Sequence, residues 1–447
     1  MTKNSELLNS NPSRRKFVKN SAVVVGGILA SQLPVGASAY VKGDDTIKVA
    51  LIGCGGRGTG AAGQALTADP SVQLVAMADA FRDRLDDSYD NLIKKFPDGN
   101  RIKVSEKTKF TGFDAYKKAI DKADVVILTT PPGFRPIHFE YAVNAGKHVF
   151  MEKPVATDAG GVRKVLEVAK IAKQKKLNVV VGLQRRYQNN YLETYKKIQE
   201  GAIGDIVSGQ IYWNSAGVWV RPREAGQTEM EYQMRNWYYF NWLCGDHILE
   251  QHIHNIDVAN WFIGSYPVSA QGFGGREVRN GIDHGEIFDH HAIEFTYAGG
   301  QVIASQCRHQ PGCDSRVREQ FQTTTGRIEI QGGGDKAKLT DWAGNTLYNH
   351  RGLGDPNPYQ VEHDRLFASI KNGETPINNA EYGAYTTMTA ILGRNASYSG
   401  QVVNWDEALA STKSIMPEKY AWDANPPSMP DADGKYPVPV PGVTKVI

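Results

Sequence analysis

Three titratable side chains stand at spacings that suit proton transfer to and from a substrate oxygen. Lys153 follows the short apolar segment 148–151, within the run Glu152-Lys153-Pro154. Glu250 and His254 are four residues apart in a helix-compatible segment, so both can meet the same ligand. A histidine accepts a proton near neutral pH, and a nearby carboxylate can orient it. We therefore predict Lys153, Glu250 and His254 as catalytic residues.

A glycine-rich turn indicates where a dinucleotide would bind. The apolar strand predicted at 47–52 is followed by GCGGRG and then by an Ala-rich, helix-competent segment. In such a strand–turn–helix unit the glycines permit the turn, the approach of a pyrophosphate and close helix packing. The predicted cofactor-binding residues of this turn are Gly53, Gly55, Gly56, Arg57 and Gly58.

Asp79 favours NAD over NADP as that cofactor. It ends a second apolar strand, 72–78, and lies 21 residues past Gly58. An acid at this place binds the adenosine ribose hydroxyls and would repel a 2′-phosphate. Arg82 is close enough to weaken that preference, and a helix N-cap is the alternative role for Asp79.

The later strands of the same unit extend the cofactor site. Ligands of such sheets lie beyond the carboxyl ends of the strands. One apolar strand, 123–129, ends in Thr130-Pro131, and the strand at 148–151 ends in Glu152-Lys153. We therefore predict cofactor contacts from Thr130, Pro131, Glu152 and Lys153, with Lys153 next to the nicotinamide.

The segment around Glu250 allows two other interpretations. His247, Glu250 and His254 share one face of the predicted helix 245–257, a spacing that could hold a metal ion. A buried, satisfied hydrogen-bond network is the second alternative. Because oxidation by a nicotinamide cofactor needs no metal, we expect no metal site.

The N-terminus reads as an export signal. The run Ser13-Arg14-Arg15-Lys16-Phe17 is a twin-arginine pattern, an apolar stretch follows, and residues 37–39 form an A-x-A cleavage site. The apolar stretch is too short for a stable membrane span. We predict a signal peptide at 1–39 and a periplasmic or secreted protein that carries its cofactor, since free NAD is scarce outside the cytoplasm.

Length and charge exclude several classes of protein. The chain has 447 residues and a formal net charge of +3, but residues 1–39 hold five basic residues and one acid. The processed chain is therefore close to neutral, which argues against nucleic acid as a partner. Four cysteines are too few for a disulfide scaffold, although Cys307 and Cys313 flank a Pro-Gly turn and could pair.

The chain divides into an α/β half and a half richer in antiparallel strands. Strands and helices alternate at first, which predicts a Rossmann dinucleotide-binding domain at 46–170. Short strands joined by turns then predict an α+β domain at 171–410 with a largely antiparallel open sheet. The helical regions 359–372 and 382–400 should pack back against the core, and residues 411–447 form a proline-rich tail.

An aromatic, arginine-containing stretch supplies candidates for substrate binding. Residues 213–242 combine tryptophan and tyrosine with arginine. Aromatic rings stack on sugar faces and guanidinium groups bind hydroxyls or carboxylates, although core packing or an oligomer interface would use the same residues. The predicted substrate contacts are Arg186, Tyr187, Trp237, Tyr239 and His252.

Taken together, residues 46–410 resemble the Gfo/Idh/MocA family, which includes glucose–fructose oxidoreductase and inositol dehydrogenase. The motifs that carry the resemblance are GCGGRG at 53–58, TTP at 129–131, AGKHV at 145–149, EKP at 152–154, QRR at 184–186, 201–206, HNID at 254–257 and EHD at 362–364. The resemblance implies that Lys153 acts beside the nicotinamide and that His254 deprotonates a sugar hydroxyl with an acid four residues before it. Two residues depart from the pattern: Glu250 replaces the usual Asp, and His252 replaces the usual Gly.

We therefore predict a secreted, NAD-dependent oxidoreductase that acts on a sugar, glycoside or cyclitol. A glycoside hydrolase or lyase working through transient oxidation is one alternative, with His252 as an extra base. A protein that binds NAD without catalysis is another. Lys153 favours the dehydrogenase, and its presence together with His254 argues against the non-catalytic reading. The predicted partners are a small carbohydrate and further copies of the chain in a dimer or tetramer, with neither nucleic acid nor stable membrane insertion.

Overall fold

The computed structural model describes residues 46–332 and 335–447. The predicted signal peptide at 1–39 lies outside these described residues. Among the helices that are described, none has the length and apolar character required to cross a membrane.

A parallel sheet organises the N-terminal half. Its strands are β1 (Ile47–Ile52), β2 (Val72–Asp79), β3 (Lys109–Thr111), β4 (Val125–Leu128), β5 (His148–Met151) and β6 (Val179–Val181). Their spatial order is β3-β2-β1-β4-β5-β6, the order of a doubly wound fold. The central strand β4 and the edge strand β6 are buried along their whole length, which explains why they read as continuous runs of Val, Ile and Leu.

Helices cover both faces of this sheet. They are α1 (Gly56–Ala68), α2 (Arg82–Lys95), α3 (Ala115–Ile120), α4 (Arg135–Asn144) and α5 (Ala159–Gln174). Helix α5 begins where the Asp158 carboxylate accepts a hydrogen bond from the Gly161 N–H, and its buried residues recur at helical spacing.

The parallel sheet extends past the predicted domain boundary at residue 170. Strand β6 pairs with β5, with Val179 opposite Val149. The crossover through α5 continues the alternation of strand and helix, so the Rossmann half ends after β6 rather than within α5.

A nine-stranded mixed sheet organises the C-terminal half, and its strands confirm the predicted fold class. They are β7 (Ile206–Ser215), β8 (Pro267–Gly275), β9 (His290–Tyr297), β10 (Val302–His309), β11 (Arg316–Thr323), β12 (Gly326–Gln331), β13 (Lys336–Asp341), β14 (Thr346–His350) and β15 (Val403–Asn404). The order is β14-β13-β12-β11-β7-β10-β9-β8-β15. Only the β7–β10 pair is parallel among these described strands.

Helices of the C-terminal half cover one face of that sheet and return to the Rossmann half. They are α6 (Asn189–Gln199), α7 (Glu229–Arg235), α8 (Asn241–Cys244), α9 (His247–Glu250), α10 (Ile253–Ile263), α11 (Pro358–Asn372), α12 (Ala380–Ser399) and α13 (Trp405–Ala410). Helix α11 buries Leu366 and Phe367 in the same core as Leu51 of β1, and α12 packs on β8 and α5. The expectation that both helical regions pack back on the core is confirmed.

The prediction of a single helix at 245–257 is wrong, because the segment forms two helices. After α9, the N–H groups of Gln251 and His252 both donate to the carbonyl of His247, at 2.9 and 3.2 Å. The second of these bonds spans five residues, so the last turn is wider than an α-helical turn; α9 ends there and α10 begins at Ile253.

The cysteines that could have paired are free thiols. Cys307 is buried on the helix-covered face of β10, whereas Cys313 lies exposed in the turn that follows. The alternation along β10 therefore turns the Cys307 side chain into the core and away from the turn.

The proline-rich tail lies against the chain's own surface. The Trp422 ring lies 4.6 Å from that of Phe113 and 5.2 Å from that of Phe81. Met416 and Tyr436 pack on the same aromatic cluster. The tail thus covers residues next to the second strand of the Rossmann sheet.

Candidate active site

A cleft of about 520 Å³ lies beyond the carboxyl ends of the parallel strands. The glycine turn, the ends of β2, β4 and β5, and segments from the C-terminal half line it. This is the edge at which doubly wound sheets bind ligands. We call the part lined by the glycine turn and Asp79 the cofactor half, and the part lined by Lys153, Glu250 and His254 the substrate half.

The glycine turn has the shape that a pyrophosphate requires. Gly53 has φ +96°, and a Cβ on Gly58 would lie 2.0 Å from the carbonyl oxygen of Gly53. No side chain fits at these two positions, so β1 and α1 pack closely. A Cβ on Gly55 or Gly56 would meet nothing within 4 Å, which leaves open space at the N-terminus of α1.

Asp79 ends β2 inside the cofactor half. Its carboxylate accepts hydrogen bonds from the N–H groups of Cys54, at 2.6 Å, and Phe81, at 2.9 Å. Burial raises the pKa of Asp79, and these two bonds oppose that shift. Asp79 is not the N-cap of α2, because Phe81 occupies that position and the Phe81 side chain makes no capping hydrogen bond. Arg82, on α2, is engaged with Asp86 at 2.7 Å and does not line the cleft.

The loop after β4 brings Thr130 and Pro131 to the cleft wall. The hydroxyl of Thr129 donates to the Gly53 carbonyl at 2.6 Å, which joins this loop to the glycine turn. The guanidinium of the buried Arg135 donates to the Thr130 carbonyl at 2.7 Å. Both residues therefore line the cleft beside the glycine turn, and their contact with a cofactor stays a prediction.

Glu152 connects the glycine turn to the end of β5. Its carboxylate lies 2.5 Å from Nε of Arg57, and the two side chains are 9% and 35% exposed. Its other oxygen faces Gly182, where a Cβ would approach within 2.7 Å. The ion pair fixes the floor of the cleft between the cofactor and substrate halves.

Lys153 is held at the centre of the cleft by Glu250. The ammonium Nζ donates to the Glu250 carboxylate and to the Glu250 main-chain carbonyl, each at 2.5 Å. Both side chains are 13% exposed. Burial raises the pKa of Glu250, and the positive charge of Lys153 opposes this. An ammonium has three N–H donors, so one remains for a substrate oxygen.

His254 lies on the same cleft and is 6% exposed. Burial lowers the pKa of His254 well below its usual value, and the positive charge of Lys153 lowers it further. The imidazole is therefore neutral at pH 7. Its Nδ1 is buried without a hydrogen-bond partner, so Nε2 is the nitrogen that can meet a substrate hydroxyl. The Trp213 ring lies 5.9 Å from the imidazole.

Two predicted substrate residues lie away from the cleft. Arg186 donates to both carboxylate oxygens of Asp257, at 2.8 and 2.9 Å, and stacks 3.9 Å from the Tyr382 ring. The hydroxyl of Tyr187 donates to Asn379 at 2.7 Å. Neither lines the cleft. The prediction that they contact substrate is not retained, because both side chains are engaged in packing α11 and α12.

Of the remaining predicted contacts, only Trp237 lines the cleft. His252 is fully buried and lies 2.7 Å from the Ser305 hydroxyl of the nine-stranded sheet. The hydroxyl of Tyr239 donates to the Val218 carbonyl. His252 is therefore not placed to act as an extra base, and Tyr239 supports the loop before α7.

The metal alternative for this segment is also not retained. Glu250 and His254 line the cleft, but His247 does not. Its imidazole lies beside Asp246 in the core, and the break after α9 places His254 on a different helix from His247 and Glu250.

Several cleft residues were missed by the sequence analysis. Gln184, Trp213 and Gln251 line the substrate half. Gln184 follows β6 directly, so the rule that ligands lie beyond strand ends would have found it. Trp213 comes from β7 of the mixed sheet and Gln251 from the turn between α9 and α10, and the spacing of residues gives no signal for either.

Comparisons with known proteins agree with this geometry. A family profile described as "Oxidoreductase family, NAD-binding Rossmann fold" (GFO_IDH_MocA) matches residues 47–183, and the "GFO/IDH/MocA C-terminal domain" profile matches 191–332. Inositol 2-dehydrogenase of Rhizobium meliloti (strain 1021) is 27% identical over 277 residues, covering 61% of this chain and 72% of that protein. Inositol 2-dehydrogenase of Rubrobacter xylanophilus is 24% identical, covering 85% and 95%.

A solved structure shares the fold. The levoglucosan dehydrogenase in complex with NADH and levoglucosan superposes with a TM-score of 0.62 at 17% identity. The match covers 80% of this chain and 99% of that one.

Proposed function

Because the chain belongs to the GFO/IDH/MocA family of NAD-binding oxidoreductases, we propose that it oxidises a hydroxyl of a sugar, glycoside or cyclitol, with NAD as hydride acceptor. The observation that carries the proposal is the contact of Lys153 with Glu250 at the end of β5, on the same cleft as His254. The inositol dehydrogenases among the relatives support this substrate class.

The residues of the cofactor half fit a dinucleotide. The open space at Gly55 and Gly56 and the N–H groups at the start of α1 would hold the pyrophosphate, and Asp79 would hold the adenosine ribose. When bound, NAD supplies the acceptor for a hydride from the substrate carbon. Asp79 supports NAD over NADP, because its charge would repel a 2′-phosphate.

His254 takes the proton of the reacting hydroxyl. Its lowered pKa keeps the imidazole neutral, so a lone pair is available at physiological pH. Lys153 donates its remaining N–H to the same oxygen and stabilises the negative charge that develops as the proton leaves. Glu250 holds the ammonium in place through two hydrogen bonds.

The function is tested with purified protein in two steps. Denaturation should release NAD or NADH in amounts close to the protein concentration. A panel of inositols, aldoses and glycosides should then produce reduced nicotinamide together with a keto product. Release of an aglycone with no net change of the cofactor would instead identify the transient-oxidation hydrolase. Bound nucleotide without turnover of any compound in the panel would support the non-catalytic alternative, and absence of nucleotide would contradict the proposal.

We also propose export through the twin-arginine route, for which the pattern at 13–19 and the cleavage site at 37–39 are the support. Replacing Arg14 and Arg15 by Lys should leave an uncleaved precursor in the cytoplasm. Lys19→Arg, which keeps the pair, is the matched control. Normal processing and export of the double variant would contradict this route.

We propose further that copies of the chain associate through the open face of the nine-stranded sheet. Phe273 on β8 and Val302 on β10 share that face and are 71% and 39% exposed. Light scattering should give a mass above that of one chain, and Phe273→Glu should reduce it. A monomeric wild-type protein would contradict the proposal.

A further inference from the structure

A second set of ligand-type side chains lies behind the cleft, between the nine-stranded sheet and its helices. His247 begins α9, His291 is on β9, and Cys307 is on β10. All three are buried and none lines the cleft. One potential ligand atom from each lies within 4.8 Å of the other two.

The backbone places these three side chains together. His291 and Cys307 are directly opposite in the antiparallel β9–β10 pair, so their side chains share one face of the sheet. His247 faces them because Asp246 precedes it in a left-handed conformation, with φ +78°. The Asp246 carboxylate accepts the N–H of His247 and thereby fixes the start of α9.

The hydrogen bonds of His247 leave one nitrogen for a cation. Its Nδ1 lies 2.7 Å from Oδ1 of Asp246, and an ionised carboxylate only accepts, so Nδ1 carries the hydrogen. Nε2 is buried without a partner. With the hydrogen on Nδ1, the neutral imidazole presents the lone pair of Nε2.

His291 is fixed in the same tautomer. The Ser397 hydroxyl donates its hydrogen to the Arg394 carbonyl at 2.9 Å, so it accepts from Nδ1 of His291 at 2.8 Å. Nε2 of His291 has no hydrogen-bond partner, although it lies 3.3 Å from Oδ2 of Asp246. That oxygen already accepts from the hydroxyl of Tyr398 and from a main-chain N–H.

We propose that His247, His291 and Cys307 bind a thiophilic transition-metal ion, either zinc or copper. Binding would release the thiol proton of Cys307 and satisfy both buried nitrogens. Metal–ligand bonds of about 2.0–2.3 Å require ligand separations of about 3.3–3.8 Å, so small side-chain rotations complete the site. Zinc would add a water as a fourth ligand, whereas copper accepts a trigonal set of two imidazoles and one thiolate.

Two neighbours have the role of orienting residues. Metal-bound imidazoles donate their second N–H to a carboxylate or another acceptor, which fixes the tautomer and the ring orientation. Asp246 does this for His247, and Ser397 does it for His291. The ion would tie β9 and β10 to α9, the helix that carries Glu250 into the cleft.

A neighbouring imidazole provides a matched control. The His309 ring lies 4.5 Å from that of His247. Its Nδ1 accepts from the guanidinium of Arg279 at 2.7 Å, so its hydrogen is on Nε2 and it cannot ligate as a neutral imidazole. A change at His309 removes a histidine from the same cluster and should leave metal binding intact.

The test measures the metal content of the tag-free, full-length protein by mass spectrometry after dialysis against equimolar zinc sulfate. We expect about one ion of zinc or copper per chain, and at least about a tenfold loss in Cys307→Ser and in His291→Phe. His309→Gln should keep the ion, and all variants should keep their bound nucleotide. Cobalt-loaded wild type should show thiolate-to-cobalt charge-transfer absorption that Cys307→Ser lacks.

Two results would overturn the proposal. The first is wild-type protein that neither contains nor takes up a stoichiometric ion. The second is unchanged metal content in Cys307→Ser. If a variant fails to fold, the metal content and cobalt spectrum of the wild-type protein decide the question alone, because charge transfer requires a thiolate ligand. A negative result would leave the proposed oxidation untouched, since no step of it uses this cluster.

Discussion

The cofactor half of the cleft is built from main chain, whereas the substrate half is built from side chains that lie far apart in the sequence. Gly53 and Gly58 shape the first half through contacts that leave no room for a Cβ. Lys153 and Glu250, 97 residues apart, meet in the second half. A site made of main chain follows from local spacing, but a site made of side chains depends on how two sheets pack.

The comparison also separates binding from chemistry. The cofactor half offers N–H groups, open space and one carboxylate, and these suit a ligand that stays in place. The substrate half holds a neutral imidazole beside a fixed ammonium, which suits proton transfer. Changes in one half should therefore leave the property of the other half intact.

The largest expected effect comes from removing the proton acceptor or the ammonium. Lys153→Ala and His254→Ala should each lower turnover by about 10²–10⁴-fold, since general acid–base groups contribute that much. The amount of bound NAD should stay unchanged. Steady-state kinetics and the nucleotide released on denaturation measure the two properties.

His252→Gln is the matched control for these variants, because that buried imidazole contacts Ser305 rather than the cleft. Its turnover should fall by less than about tenfold. If His254→Ala lowers turnover by less than about tenfold and His252→Gln lowers it by much more, the role of base belongs to His252.

The converse change acts on the cofactor half. Gly58→Ala should abolish nucleotide retention, because its Cβ would lie 2.0 Å from the Gly53 carbonyl and would force the turn apart. Gly60→Ala is the control: its Cβ would lie 3.5 Å from the Arg57 side chain, an ordinary contact. The control should keep its nucleotide and gain up to about 1 kcal/mol of stability in the helix. Equal nucleotide content in the two variants would contradict the claim that main-chain packing at Gly58 is required for nucleotide binding.

A smaller effect is expected for the choice between NAD and NADP. Asp79→Asn and Asp79→Ser remove the charge that repels a 2′-phosphate, and should shift the ratio of dissociation constants toward NADP by about tenfold or more. Asp79 accepts from Cys54 and Phe81 with separate oxygens, so Asn can keep only one of these two bonds and retains part of the support of the turn while losing the charge. Titration of nucleotide-free protein measures the ratio; an unchanged ratio in both variants would assign the selectivity elsewhere.

The last prediction concerns the free energy of unfolding, which should fall gradually as the pH is lowered. Burial lowers the pKa of His138 and of His363 to about 3 each. Between that value and the unfolded pKa near 6.5, the unfolded chain binds more protons, so stability is lost as the pH falls through this window. Each histidine contributes up to about 1.4 kcal/mol per pH unit.

Denaturant midpoints at pH 7 and pH 5 measure this loss. His363→Leu should make the midpoint less sensitive to pH, because the His363 ring stacks on Phe150 beneath the cofactor half without using either nitrogen. If the midpoint of the variant depends on pH as strongly as that of the wild type, His363 does not contribute to the loss of stability in acid.

The sequence predicts the cofactor half well because its determinants are local. The strand, the glycine turn and the helix start lie within about twenty residues, and Asp79 follows the next strand. In the substrate half, the four-residue spacing predicted that Glu250 and His254 face the same ligand. Both line the same cleft, although they lie on two separate helices. Motifs alone could not place Arg186, since its partner Asp257 comes from α10, 71 residues away.

The end of the Rossmann domain and the short strands of the second sheet also depend on contacts that local sequence patterns do not reveal. Residue 170 falls within α5, because the change of pattern that marks the second sheet begins only after β6. Strands β13 and β14 carry lysine, threonine and asparagine and lack an apolar run, so only their pairing identifies them. Trp213 enters the cleft through the parallel pairing of β7 with β10, which no local pattern predicts.

The transfer of hydrogen within the cleft tests the central claim most directly. Protein with its NAD bound is mixed with inositols and aldoses that carry deuterium on every carbon, and the released nucleotide is analysed by mass spectrometry. The account predicts reduced nicotinamide with one deuterium in the wild type, and none in Lys153→Ala or His254→Ala on the same timescale. Reduced nucleotide without deuterium, or no reduction by any member of the panel, would contradict the proposed oxidation.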